Sequence, residues 1–148
     1  MTEPGTSRFE REGADEEPAE AEEAPAAVQP FYGSVDEFVR EFLVKTYRRR
    51  IDGKGAVWAA DWWRYPEAVC RLDALWQAWE VLRLDPALGL SAWWKDHADH
   101  HMGVLLSTSG PFPVSTVTAE TSSEKTEPLP YKAPHRSMFP DVRQSGSL

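Results

Sequence analysis

A chain of 148 residues holds one domain at most. Its formal net charge of −8 argues against a general pull toward nucleic acid or an anionic membrane. The charge is unevenly spread: residues 1–30 carry nine acids against two arginines, residues 31–113 eleven acids against ten bases, and residues 114–148 four of each. A single cysteine, Cys70, excludes an intramolecular disulfide and fits a reduced, cytoplasmic setting. The N-terminus shows no signal-peptide pattern, and no apolar run approaches the roughly 18–20 residues that a membrane-spanning helix needs.

Residues 1–30, dominated by Glu, Ala and Pro, cannot bury enough surface to offset chain entropy and read as a disordered acidic tail. The first helix starts at Ser34, whose side chain and that of Glu37 form an S-x-x-E capping box. Val35, Phe38, Val39, Phe42, Leu43 and Thr46 recur at helical spacing, and Tyr47 with Arg48, Arg49 and Arg50 closes the element. Asp52 to Gly55 is a breaker. Pro66 at the first helical position opens a second helix, with Ala68, Val69, Leu72, Leu75, Trp76, Trp79 and Leu82 on its apolar face and an end near Leu84. Ser91 is the expected N-cap of a third helix that carries Trp93, Trp94, His97, Ala98 and His101. Gly103 is a point of interruption, after which Val104 to Leu106 either continues the helix or opens a short extended piece. Residues 114–148, rich in Ser, Thr and Pro, read as a second disordered tail. The expected fold is mainly α: a small three-helix, tryptophan-rich domain over residues 31–113 between disordered N- and C-terminal tails.

All seven tryptophans lie between Trp58 and Trp94. Neighbouring side chains diverge, so in Trp62-Trp63 and Trp93-Trp94 one ring can enter the core and the other face a surface; the plainer alternative is a core or lid role for all four. An exposed ring beside Arg64 makes a partner-binding anchor, with another protein or a second copy of the chain as the partner. His97 and His101 stand one helical turn apart and can both reach one Zn²⁺, but a zinc site needs a third ligand, and the sequence does not single one out among Asp61, Glu67 and Asp85. The blander reading is helix-end histidines bonded to carboxylates or stacked on tryptophan. Arg48, Arg49 and Arg50 form a small basic patch able to meet phosphate, yet too few charges for a nucleic-acid footprint. Cys70 has no activating base at helical spacing. No catalytic set is complete, so the leading reading is a non-catalytic interaction module with no cofactor. A zinc-holding domain or hydrolase and a weak nucleic-acid binder are the alternatives.

The blocks Trp62-Trp63-Arg64, Pro66 to Val69, Leu72-x-x-Leu75-Trp76-x-Ala78-Trp79-Glu80, Leu84 to Pro86, Trp93-Trp94-x-Asp96-His97-Ala98-Asp99-x-His101-Met102 and Gly110 to Phe112 are similar to those of an uncharacterised domain-of-unknown-function family. That family consists of small actinobacterial proteins often carried by plasmids, integrative elements and phages. The resemblance implies a genomic neighbourhood on such elements and supplies no catalytic residues; an accessory role there is the form the interaction-module reading takes.

Overall fold

The computed structural model describes residues 28–144. The expected acidic tail as far as residue 27, and the last four residues, lie outside them. The described residues form three helices and no strand: α1 (residues 35–46), α2 (Pro66–Leu82) and α3 (residues 89–105). Short 3-10 turns lie at Trp62–Arg64 and Val114–Thr116. One antiparallel bridge joins Ile51 to Ser123.

The predicted start of α1 is met at Ser34, whose hydroxyl accepts from the Glu37 N–H at 3.0 Å. The return bond of the box goes one residue further back, where Glu37 Oε1 accepts from the Gly33 N–H at 2.6 Å. Inside α1 a π turn over Val39–Leu43 adds a residue to the turn and rotates the rest of the helix. The buried stripe therefore shifts from Phe42 and Thr46 to Val44 and Tyr47, and Thr46, expected in the core, is exposed.

Helix α2 begins at Pro66 as predicted and buries Ala68, Leu72, Leu75, Trp76 and Trp79. It ends at Leu82, two residues before the expected Leu84. Helix α3 starts at Gly89 and not after Ser91. The starting turn is set by Asp85, whose Oδ1 accepts from the N–H groups of Ala87 and Leu88 at 3.0 and 3.2 Å. Gly89 allows the turn to close, because a Cβ there would lie 1.7 Å from the Leu82 carbonyl oxygen. Gly103 does not interrupt α3, which runs on to Leu105; its position is exposed and nothing packs against it. A second π turn, Trp93–Ala98, produces the five-residue step between buried Trp93 and buried Ala98. After it the core face runs through Met102 and Leu105, which leaves His97 and His101 half-buried beside it.

The helices meet over an aromatic cluster. Trp79 packs against Tyr32, Phe38 and Phe42 with ring centroids 5.1–6.1 Å apart, and Phe42 reaches Trp93 at 5.7 Å. The stretch from Val57 to Ala60 crosses the core fully buried.

The largest departure from the sequence reading concerns residues 114–144, expected in a disordered tail. They have little regular structure, as their prolines dictate, but they are laid across the helices as a strap. Leu129 is only 2% exposed. Phe139 stacks on Trp62 at 5.6 Å. The Val142 N–H donates to the Gly33 carbonyl at 2.8 Å. Prolines at 128, 130, 134 and 140 restrict the unfolded chain, so less entropy is lost on seating it, and the large side chains of Leu129, Tyr131 and Phe139 supply the burial that the composition alone concealed.

Candidate functional site

Each tryptophan pair divides between the core and a partly exposed position. Trp62 and Trp93 are 0% exposed, so neither offers area to a partner; the expectation that either could serve as a docking anchor is corrected. Their rings fill the core, Trp93 Nε1 donating to the Leu75 carbonyl at 3.0 Å. The half-exposed members are Trp63 and Trp94. Trp63 Nε1 donates to the Lys132 carbonyl at 2.9 Å, and the Arg64 guanidinium stands 5.4 Å from its ring. Trp94 stacks on Tyr47 at 5.7 Å, and Arg49 covers the Tyr47 ring at 4.1 Å. No hydrogen bond or ring contact joins the two half-exposed indoles among the described residues, so they do not form one surface. The buried Nε1 groups of Trp62 and Trp79 have no hydrogen-bond partner there, so these rings act through bulk alone.

The histidine face carries no assembled ligand set. Among the described residues no three His, Cys, Asp or Glu side chains gather as a metal site would require. His101 Nδ1 lies 3.0 Å from Arg71 Nη1, a cation where a ligand would bind one. Each acid that could have completed the set is engaged elsewhere: Glu67 with Arg71 at 2.9 Å, Asp61 with Arg64 at 3.4 Å, and Asp85 in the turn before α3. Burial, Arg71, His100 and His97 together lower the pKa of His101 below its ordinary 6.5. The fold thus favours the neutral ring. Its contribution is fully present above about pH 6.5 and is lost as pH falls from there through the lowered folded value. The urea midpoint is expected to fall between pH 7.5 and pH 5, and His101→Gln to flatten that fall. Equal slopes in the two proteins would show that His101 is not the group responsible.

The three arginines diverge. Arg48 donates to the carbonyls of Lys45 and Thr126 at 2.7 Å each, Arg49 lies over Tyr47, and Arg50 stands 3.9 Å from both Asp52 and Glu124. They hold the chain after α1 to the strap more than they present a phosphate site.

Two features escaped the sequence reading. The first is a cleft of about 780 Å³ between the first turn of α1 and the strap, with Asp36, Arg40, Tyr131, Arg136 and Phe139 among its walls. At its edge the Tyr131 hydroxyl donates to Asp36 Oδ1 at 2.6 Å. Burial, then the hydrogen bond and charge of Asp36, raise the Tyr131 pKa, so this phenol is a fixed donor and no base. The second is the corner where α2 turns into α3. Val81 and Leu88 are each 68% exposed, and Leu84 and Leu90 each 51%. Val28 joins Val81 and Leu84 along a shallow groove there. The apolar residues flanking Asp85-Pro86 were the available signal, because a turn that exists only to reverse the chain has no use for three leucines.

These contacts define a small helical domain closed by an irregular C-terminal strap. The chain belongs to the family described as a domain of unknown function (DUF4913), which it matches over residues 32–135. The match passes Pro113 and takes in the strap as far as His135. No curated protein and no solved structure shows significant similarity to it. No helix among the described residues is long and apolar enough to cross a membrane.

Proposed function

We propose that the domain is a non-catalytic protein-interaction module and that it docks through the α2–α3 corner. The observation that carries this reading is the exposure of Val81, Leu84, Leu88 and Leu90 within ten consecutive residues. Val81 and Leu84 share a groove with Val28, and exposed apolar side chains gathered at one corner are a feature of interaction sites. The partner in this reading is a second copy of the chain, because in a two-fold contact the same apolar patch on each copy covers the other. A cytoplasmic setting goes with the lone cysteine. An accessory role on an actinobacterial mobile element goes with the sequence resemblance.

Sedimentation velocity of the full chain from about 1 to about 100 µM is expected to show the mass rising toward two chains. Leu84→Ser with Leu88→Ser is expected to hold it at one chain with the helical signal unchanged. A single-chain mass for the natural sequence across the whole range would sink this reading.

A further inference from the structure

The strap segment 128–135 runs without a turn or bend and contains three prolines. Its seat is built from separate parts of the sequence. The Leu129 N–H donates to the Val44 carbonyl at 2.9 Å, and the Leu129 side chain is buried. Trp58 Nε1 donates to the Pro130 carbonyl at 2.8 Å. The Tyr131 hydroxyl donates to Asp36. Lys132 is held on both backbone groups, its N–H by the Ala60 carbonyl and its carbonyl by Trp63 Nε1, each at 2.9 Å. Two indole N–H groups thus reach carbonyls two residues apart on an extended, proline-bearing chain. An apolar pocket takes a leucine and a carboxylate takes a tyrosine hydroxyl. Aromatic grooves recognise proline-rich peptides by the same physics, because the peptide arrives already extended and loses little entropy.

We propose that the groove formed by Trp58, Trp63, Ala60, Val44 and Asp36 is a peptide-recognition site filled in cis by residues 129–132. It accepts in trans a polypeptide that presents an extended Leu-Pro-Tyr segment. This site is distinct from the α2–α3 corner and does not depend on it. Residues 113–127, the first part of the strap, hold a 3-10 turn and are pinned to the chain after α1 by the Ile51–Ser123 bridge and the Arg48 bond to the Thr126 carbonyl, so the part beyond residue 127 can leave from that anchor while α1, α2 and α3 stay packed. The cis segment competes with the trans one, and apparent affinity is reduced by the fraction of chains whose groove is filled.

The test uses the full chain and a fluorescein-labelled peptide with the sequence of residues 126–134, read by anisotropy at a chain concentration where sedimentation shows a monomer. Leu129→Ala with Tyr131→Phe in the chain, but not in the peptide, loosens the strap and is expected to tighten binding by about tenfold or more over the natural chain. Adding Trp58→Phe and Trp63→Phe to the loosened chain is expected to reverse that gain, since it removes the two indole donors while leaving a smaller aromatic ring at each position. A scrambled peptide is expected not to bind. Should the loosened chain lose its far-ultraviolet helical signal, Tyr131→Phe alone, which removes only the bond to Asp36, serves in its place. Equal peptide affinity for natural and loosened chains, or binding indifferent to the loss of both indole donors, would overturn the proposal.

Discussion

Trp93→Ala is expected to cost the domain about 3–5 kcal/mol, a large share of the roughly 5–15 kcal/mol that holds a domain of this size together. The ring is fully buried where α1, α2 and α3 meet, in contact with Phe38, Phe42 and Trp94 at 6.3, 5.7 and 5.1 Å. Alanine would leave a cavity that three packed helices cannot close. Trp93→Phe retains most of the volume and loses the bond to the Leu75 carbonyl, for a smaller loss of roughly 1–2 kcal/mol. Its neighbour gives the control: Trp94→Ala removes a half-exposed ring and is expected to cost about 1 kcal/mol. Urea unfolding of the three variants measures the order. A loss at residue 94 as large as at residue 93 would contradict the placement of the second π turn, which decides which of the two rings faces inward.

Glu80 carries the second large effect. Its carboxylate is 11% exposed and collects four donors: the Phe31 N–H at 2.8 Å, the Tyr32 N–H at 2.9 Å, Trp76 Nε1 at 3.0 Å and Arg83 Nε at 3.0 Å. One side chain on α2 therefore fixes the chain that enters α1 and orients an indole within its own helix. Glu80→Ala leaves the part-buried Tyr32 N–H, Trp76 Nε1 and Arg83 guanidinium without this acceptor, and a loss of roughly 3 kcal/mol is expected. Glu80→Gln keeps one acceptor oxygen but turns an amide toward groups that also donate, so it is expected to fall between alanine and the natural residue. Thermal unfolding and hydrogen exchange of the Phe31 and Tyr32 amides report the two halves of the effect. Full protection of those amides in Glu80→Ala would show that the carboxylate is not what holds them.

Local signals were legible and distant ones were not. Ser34, Pro66 and the Asp52 to Gly55 breaker could be read because each acts within four residues of itself; Asp52, held down to about 2 by the N–H groups of Lys54 and Gly55, is such a local device. The π turns could not be read, because an ideal 3.6-residue period assigns Thr46 to the core and cannot anticipate an added residue. Ser91 had the right chemistry for a cap but the wrong place, since Asp85 had already organised the turn. The site fared worst. Residues 129–132 take their conformation from Trp58, Ala60 and Trp63, about seventy positions earlier in the chain, and composition sees only prolines among polar residues. The tryptophans drew the eye to the surface, while most of them serve the interior.

The strap also orders events in time. Its bonds join residues 69 to 112 positions apart: Trp63 to Lys132, Trp58 to Pro130, Asp36 to Tyr131 and Phe31 to Arg143. Contacts of such separation are slow to form, because a long loop must close before any of them is made. As the chain is synthesised from its N-terminus, every helix is complete by residue 105, while Leu129 is made only two dozen residues later. The residues that build the groove, Trp58 and Trp63, are thus synthesised before the segment that fills it. The fold is therefore closed by the part of the strap that is made after all three helices.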